Sequence, residues 1–170
     1  MEKSKSQEKQ FEEKLLEVRR VNRVTKWWRQ LAFRAVMLIW DRNWKIWLGI
    51  AKAQDVVWAI EKATHDAYKN IKNVPIADKA KSVPYWKTHK YKSAVVRLIP
   101  AWPGTGLKAW SSVRSVLELA WYNNILSKII WTNNRLNNAL ATINALYLYK
   151  SADVSKEVAE KKGNDSSSDS

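Results

Sequence analysis

Cysteine is absent from this 170-residue chain, which excludes disulfides, thiolate nucleophiles and cysteine-based zinc sites. The two histidines are too few for most catalytic or metal-binding constellations. Apolar runs break within about ten residues, short of the ~20 that a membrane-spanning helix needs. The start, with Glu2, Lys3 and Lys5, has no apolar segment of the kind a secretory signal carries. Glycine is scarce: average usage of ~7% gives about 12 in a chain of this length, and there are 4. Tryptophan, at 11, is as abundant as glycine is rare. These absences leave the expectation of a soluble, basic, intracellular protein with no cofactor, built as one compact domain or two small ones.

Charge is what the chain has in excess. It carries 30 Lys and Arg against 16 Asp and Glu, a formal net charge of +14. Residues 21–100 account for 16 basic and 5 acidic groups, whereas residues 151–170 hold 3 and 5. The basicity therefore belongs to the body of the chain and not to a solvated tail. A folded region this basic faces a polyanion, with nucleic acid the leading candidate.

Hydrophobic periodicity divides the chain. Residues 1–15 are rich in Lys, Glu, Gln and Ser and are expected to be disordered or loosely helical. Short alternation from Arg19 to Lys26 suggests a first strand. Leu31, Phe33, Ala35, Met37 and Ile39 recur with period two and predict a second strand, and residues 45–52 a third beyond the turn Asp41-Arg42-Asn43. Val56, Ile60, Ala63, Ala67 and Ile71 then follow helical spacing behind Asp55 as N-cap, closed by Pro75. This gives an N-terminal domain over 16–76, a linker over 77–92, a C-terminal domain over 93–150 and a polar tail over 151–170. Within the second domain a strand at 93–100, a tight loop at 103–106, a helix through Val113 and Val116, a strand at 125–130 and a helix capped by Asn134 are expected. The order is β-β-β-α followed by β-α-β-α, an α+β protein.

No catalytic motif is found. A phosphate-binding loop followed by Lys-Ser/Thr and a His-Glu-x-x-His pair are both missing. Glu61 and His65 lie one helical turn apart on a polar face with Lys62, the ordinary pattern of a solvated helix. Pro103-Gly104-Thr105-Gly106 before a helix is compatible with a phosphate cradle through backbone N–H groups or with a tight packing turn.

The basic cluster Arg19, Arg20, Arg23, Lys26, Arg29 and Arg34 surrounds the first hairpin. Guanidinium forks match phosphate oxygens in bidentate fashion, and a β-β-β-α unit with a basic rim is the core of double-stranded-RNA-binding domains. The run from Glu12 to Lys26 (EEKLLEVRRVNRVTK), Phe33-Arg34-Ala35, Lys52-Ala53-Gln54-Asp55-Val56 and Asn73-Val74-Pro75 resembles the N-terminal half of bacterial small-subunit ribosomal protein five. Pro103-Gly104-Thr105-Gly106, the run Val113 to Ala120 (VRSVLELA) and Asn123-Asn124-Ile125-Leu126 are similar to its C-terminal half. The resemblance runs from about residue 12 to 150.

The resemblance implies a double-stranded-RNA-binding-like domain lacking its first helix, followed by a β-α-β-α domain. It implies a non-enzymatic, cytoplasmic ribosomal component, an organellar ribosome remaining open. Such a component binds small-subunit rRNA at the body–head junction, near the mRNA path, and influences assembly and decoding accuracy. Ribosomal proteins four and eight are the implied protein neighbours, with Gly104, Thr105, Gly106 and Arg114 as contact candidates. The reading of a different class is a free-standing double-stranded-RNA-binding regulator, which would have no need of the second module.

The family pattern expects glycine where this chain has tryptophan: the first hairpin reads Lys26-Trp27-Trp28-Arg29, and the second turn Trp40-Asp41-Arg42-Asn43-Trp44. Trp47, Trp102, Trp110, Trp121 and Trp131 follow suit, with Trp58 and Trp86. A bulky residue at positive φ costs about 1–3 kcal/mol, so strain is expected at these turns. Stacking on RNA bases accounts for a few such residues but not for their placement at nearly every turn. UGA codons that some bacterial lineages read as glycine, rendered as tryptophan, would account for both anomalies at once; the alternative is a lineage that acquired tryptophan at these positions.

Overall fold

The computed structural model describes residues 11–41, 45–73 and 82–149. Three antiparallel strands open it: β1 (Glu12–Val24), β2 (Arg29–Asp41) and β3 (Lys45–Ala53). Helix α1 (Val56–Lys69) and the two-residue β4 (Lys72–Asn73), which pairs with β3, complete the first unit. The second unit contains β5 (Lys87–Tyr91), β6 (Ala94–Pro100), β7 (Leu107–Lys108), α2 (Ser111–Leu119) and β8 (Ile125–Ile129). A third helix, α3, runs over residues 135–149. Its sheet has the order β5-β6-β8-β7, antiparallel except for the β7–β8 pair. The fold is α+β, an antiparallel sheet of three long strands and the short β4 with its helix, followed by a mixed sheet with helices.

Strand β2 explains how the units pack. Residues 35–40 (Ala-Val-Met-Leu-Ile-Trp) are all buried, and successive side chains point to opposite faces. Ala35 and Met37 pack with Ala59 and Ala63 of α1. Val36, Leu38 and Trp40 enter the other core, which holds Val96, Leu98 and Val113 of the second unit. A run apolar on both faces is what a strand covered on both sides requires.

The contact between α1 and β3 is close because both sides are small. Ala59, Ala63 and Ala67 are fully buried. A Cβ added at Gly49 would overlap the Ala63 carbonyl oxygen and stand 2.7 Å from the Ala67 nitrogen. Glycine is required there by approach, not by dihedral angle.

Several expectations need correction. Glu12–Leu15, read as part of a loose extension, form the start of β1 opposite residues 37–40. The stretch read as a linker contains β5, whose alternating exposure marks an edge strand paired only with β6. Both segments look polar because one side of each faces water. Asp55 occupies the N-cap position and its carbonyl accepts from Ala59 N at 3.1 Å, but its side chain makes no capping bond. Asn134 does cap, its Oδ1 accepting from Leu136 N at 3.2 Å. Residues 1–10, the Arg42–Trp44 turn, Pro75 and the 151–170 tail lie outside the described residues. Among those described, no helix is long and apolar enough to cross a membrane.

Candidate nucleic-acid interface

Between Glu17 and Asp41 the chain has six cations and no carboxylate. The register decides where these cations go. Strand β3 pairs with β2 only over Phe33–Asp41, so residues 21–24 and 29–32 continue as a two-stranded arm beyond the sheet. Residues 22–31 are all exposed, and Arg23, Lys26 and Arg29 lie on this arm. The tip is closed by Thr25, whose backbone N–H and hydroxyl both donate to the Trp28 carbonyl, at 2.9 and 3.0 Å. The Lys26 ammonium stands 5.6 Å from the centre of the Trp27 ring, within cation–π range.

A β-bulge sets the phase of the remaining cations. Leu15 pairs with Met37 and Glu17 with Val36, leaving Leu16 as the extra residue. An uninterrupted ladder would put Glu17 opposite Ala35, on the α1 side; the bulge moves it to the other face. Arg19 therefore pairs with Arg34, and Arg34 with Lys52, so three cations cross the sheet in one row. Neighbouring strands are about 4.8 Å apart, and such a row would be repulsive without a counter-charge. Glu17 supplies it. Its side chain is 8% exposed, with Arg19 Nε 2.7 Å from Oε1 and an Arg34 terminal nitrogen 3.6 Å from Oε2. Arg34 is thereby half-buried and turned toward an internal carboxylate, while Arg19 keeps most of its surface.

The six cations singled out from the sequence thus do not form one patch. Arg20 pairs with Phe33 and lies on the α1 side of the ladder. Arg19 and Arg34 bracket Glu17, and Arg23, Lys26 and Arg29 occupy the arm. Sequence reasoning missed Lys52, which completes the row, and Glu17, which holds it together. The available signal was the direct opposition of β2 and β3 residues, which needs the register to be known.

The second candidate cluster is differently built. Gly104 and Gly106 have φ of +93° and +77°, and Thr105 N donates to the Trp102 carbonyl at 3.1 Å. The N–H groups of Gly104 and Gly106 both donate to Asn124 Oδ1, at 3.2 and 3.3 Å. The loop is therefore a packing turn tied to the start of β8, and these two amides are not aimed at a phosphate. Arg114 is exposed and its Nε donates to Glu118 Oε1 at 2.8 Å. Lys14 of β1 reaches Glu118 Oε2 at 3.0 Å, so Glu118 links the two units. The bond from Arg114, then that from Lys14, holds the Glu118 carboxyl below its ordinary pKa. Glu61 and His65 line a shallow groove with Ile50, Trp58, Lys62 and Asp66, and among the described residues no group of three His, Asp or Glu could hold a metal.

Strain at the tryptophan turns is narrower than expected. Among the described tryptophans only Trp121 has positive φ, at +58°; Trp27 and Trp28 do not. Trp40, taken as a turn residue, is 2% exposed and stacks on Trp121 with ring centres 5.6 Å apart.

Comparison with known proteins covers both units. Residues 11–75 match the family model described as "Ribosomal protein S5, N-terminal domain", and residues 89–162 the one described as "Ribosomal protein S5, C-terminal domain". The chain is 44% identical over 140 residues to the small ribosomal subunit protein uS5 of Thermotoga neapolitana, covering 82% of this chain and 78% of that protein. It is 38% identical over 160 residues to the uS5 of Trichormus variabilis, covering 94% and 90%. To the uS5c of Rhodomonas salina it is 38% identical over 161 residues, covering 95% and 94%.

Proposed function

The chain belongs to the ribosomal protein S5 family, and from that premise we propose that the basic arm and its adjoining face bind rRNA at the body–head junction of the small subunit. The role is structural: the protein is a component of the small ribosomal subunit, in a family of ribosomal proteins and not of enzymes. The observation that carries the interface is the segment from Val18 to Trp40, with six cations, no carboxylate and an arm projecting past the third strand. Arg23, Lys26 and Arg29 neutralise phosphates directly, while Arg19 and Lys52 flank them along one face. Arg20 reaches RNA from the other side of the arm. Arg34, paired with Glu17, positions the row more than it contacts RNA.

The remaining assignments follow the family. The 104–106 turn and Arg114 form a protein-contact surface toward ribosomal protein four, with protein eight as a further neighbour. Placement near the mRNA path links the protein to decoding accuracy. The units are drawn from Glu12, the start of β1, and from Lys87, the start of β5, in place of 16 and 93. A free-standing double-stranded-RNA regulator is disfavoured, because the second unit matches the family as well as the first.

Reconstitution tests the interface. Small subunits assembled with Lys26→Ala/Arg29→Ala protein should take it up less well than the parent at equal fold stability, measured by the protein's occupancy in purified subunits. Uptake equal to the parent removes the arm from the contact surface.

A further inference from the structure

Tryptophan is among the most buried residue types on average, yet here it is outside. Of ten described tryptophans, eight are more than half exposed, from Trp121 at 51% to Trp102 at 86%. Apart from Trp58, which lies within α1, they stand in loops, at a hairpin tip and at helix ends: Trp27 and Trp28 at the β1–β2 tip, Trp86 and Trp102 in loops, Trp110 at the α2 N-cap, Trp121 just past α2, and Trp131 in the bend before α3. A surface selected for base stacking would gather its rings on one platform. These are spread over both units, all but Trp58 outside regular helix and strand.

Trp121 is the most informative. Ala120 ends α2, Trp121 N donates to the Glu118 carbonyl at 3.0 Å, and Tyr122 N donates to the Leu117 carbonyl at 3.1 Å. These two bonds, with φ of +58° at Trp121, are a Schellman motif with Trp121 at C′. That position is left-handed and is usually glycine, because a Cβ clashes with the backbone there. An indole is among the least suited side chains for it. The shortage of glycine, 4 against 11 tryptophans, is the same anomaly seen in the composition.

We infer that the polypeptide made in the cell carries glycine at Trp121, and also at the exposed turn positions Trp27, Trp28 and Trp131. The codons at these positions are UGA, and the source cell reads UGA with a glycine-charged tRNA. Glycines encoded by ordinary codons, such as Gly49, Gly104 and Gly106, are unaffected and already stand where the structure needs them. At the arm the consequence rests on the rRNA reading: two residues without side chains between Lys26 and Arg29 let the tip backbone approach a phosphate closely.

Mass spectrometry of the native protein, digested with trypsin from source cells, tests this independently of RNA binding. The peptides spanning residues 115–128 and 129–135 contain Trp121 and Trp131 as their single tryptophans. Each should appear lighter by the difference between a tryptophan and a glycine residue, and the intact mass should fall by at least four such decrements in total, which includes those for positions 27 and 28. Peptides at the tryptophan mass, or UGG codons at these positions in the gene, overturn the inference. A third residue at either position overturns it as well.

Discussion

The two units place their charges differently. In the first, cations project along an arm that outruns its own sheet, and one buried carboxylate, Glu17, is set among them. In the second, Arg114 is tied to Glu118, and the 104–106 turn spends its amides on Asn124. The first unit gathers unanswered cations on one projecting arm, whereas the second, with eight cations and the single carboxylate Glu118 over residues 82–149, has no such arm. The difference shows that a net charge spread over a whole chain says little about where a polyanion docks; strand register says more.

The units also use glycine differently, and the largest expected effect exploits this. Gly49→Ala should destabilise the protein by about 3 kcal/mol or more, because the added methyl meets the α1 backbone. Gly104→Ala or Gly106→Ala meets open space and costs only the left-handed strain, ~1–2 kcal/mol. Urea unfolding compares the three; equal losses would erase the distinction between approach and dihedral angle.

Next comes the charge asymmetry itself. Replacing Arg23, Lys26 and Arg29 by Ala should reduce affinity for structured RNA tenfold or more at low salt and make the slope of log K against log salt shallower by about 2–3. Replacing Arg97, Lys108 and Lys128 of the second unit should change that slope much less. Filter binding across a salt series reads both, and similar slopes for the two triple variants would break the comparison.

Asn124→Ala should cost about 1–3 kcal/mol, since two loop amides lose their acceptor. Asn124→Asp, which keeps the oxygen, should cost less, and Tm measurements order the pair. The smallest effect belongs to Glu118. Its folded-state pKa is depressed, so its contribution is full above the ordinary carboxylate range and disappears as pH falls through the folded value. With both partners about 40% exposed, that contribution is below about 1 kcal/mol. A Glu118→Gln variant should show a slightly flatter acid limb in Tm against pH than the parent.

Much of this was legible in the residues. Period-two alternation over 30–39 and the Asn134 cap named their elements because each rests on a local rule. The short strands were not legible: β4 and β7 have two residues each, and β5 alternates polar residues along an edge. The two-sided burial of β2 was written in its unbroken run Ala35 to Trp40, but alternation through Leu31 and Phe33 masked it. For the site, the cations could be counted and their neighbours could not. The bulge at Leu16 is one residue of slippage, and it places Glu17 on the face of Arg34.

The double burial of β2 has a consequence for synthesis. The strands of the first unit pair only with one another, yet Val36, Leu38 and Trp40 lack most of their shared core until the second unit follows. Helix α3, whose Ile143 and Leu146 belong to that shared core, comes at the very end of it. At elongation rates of about 5–20 residues per second, the apolar face stays open for on the order of ten seconds. During that interval the nascent chain is a client for any chaperone that waits at the tunnel exit.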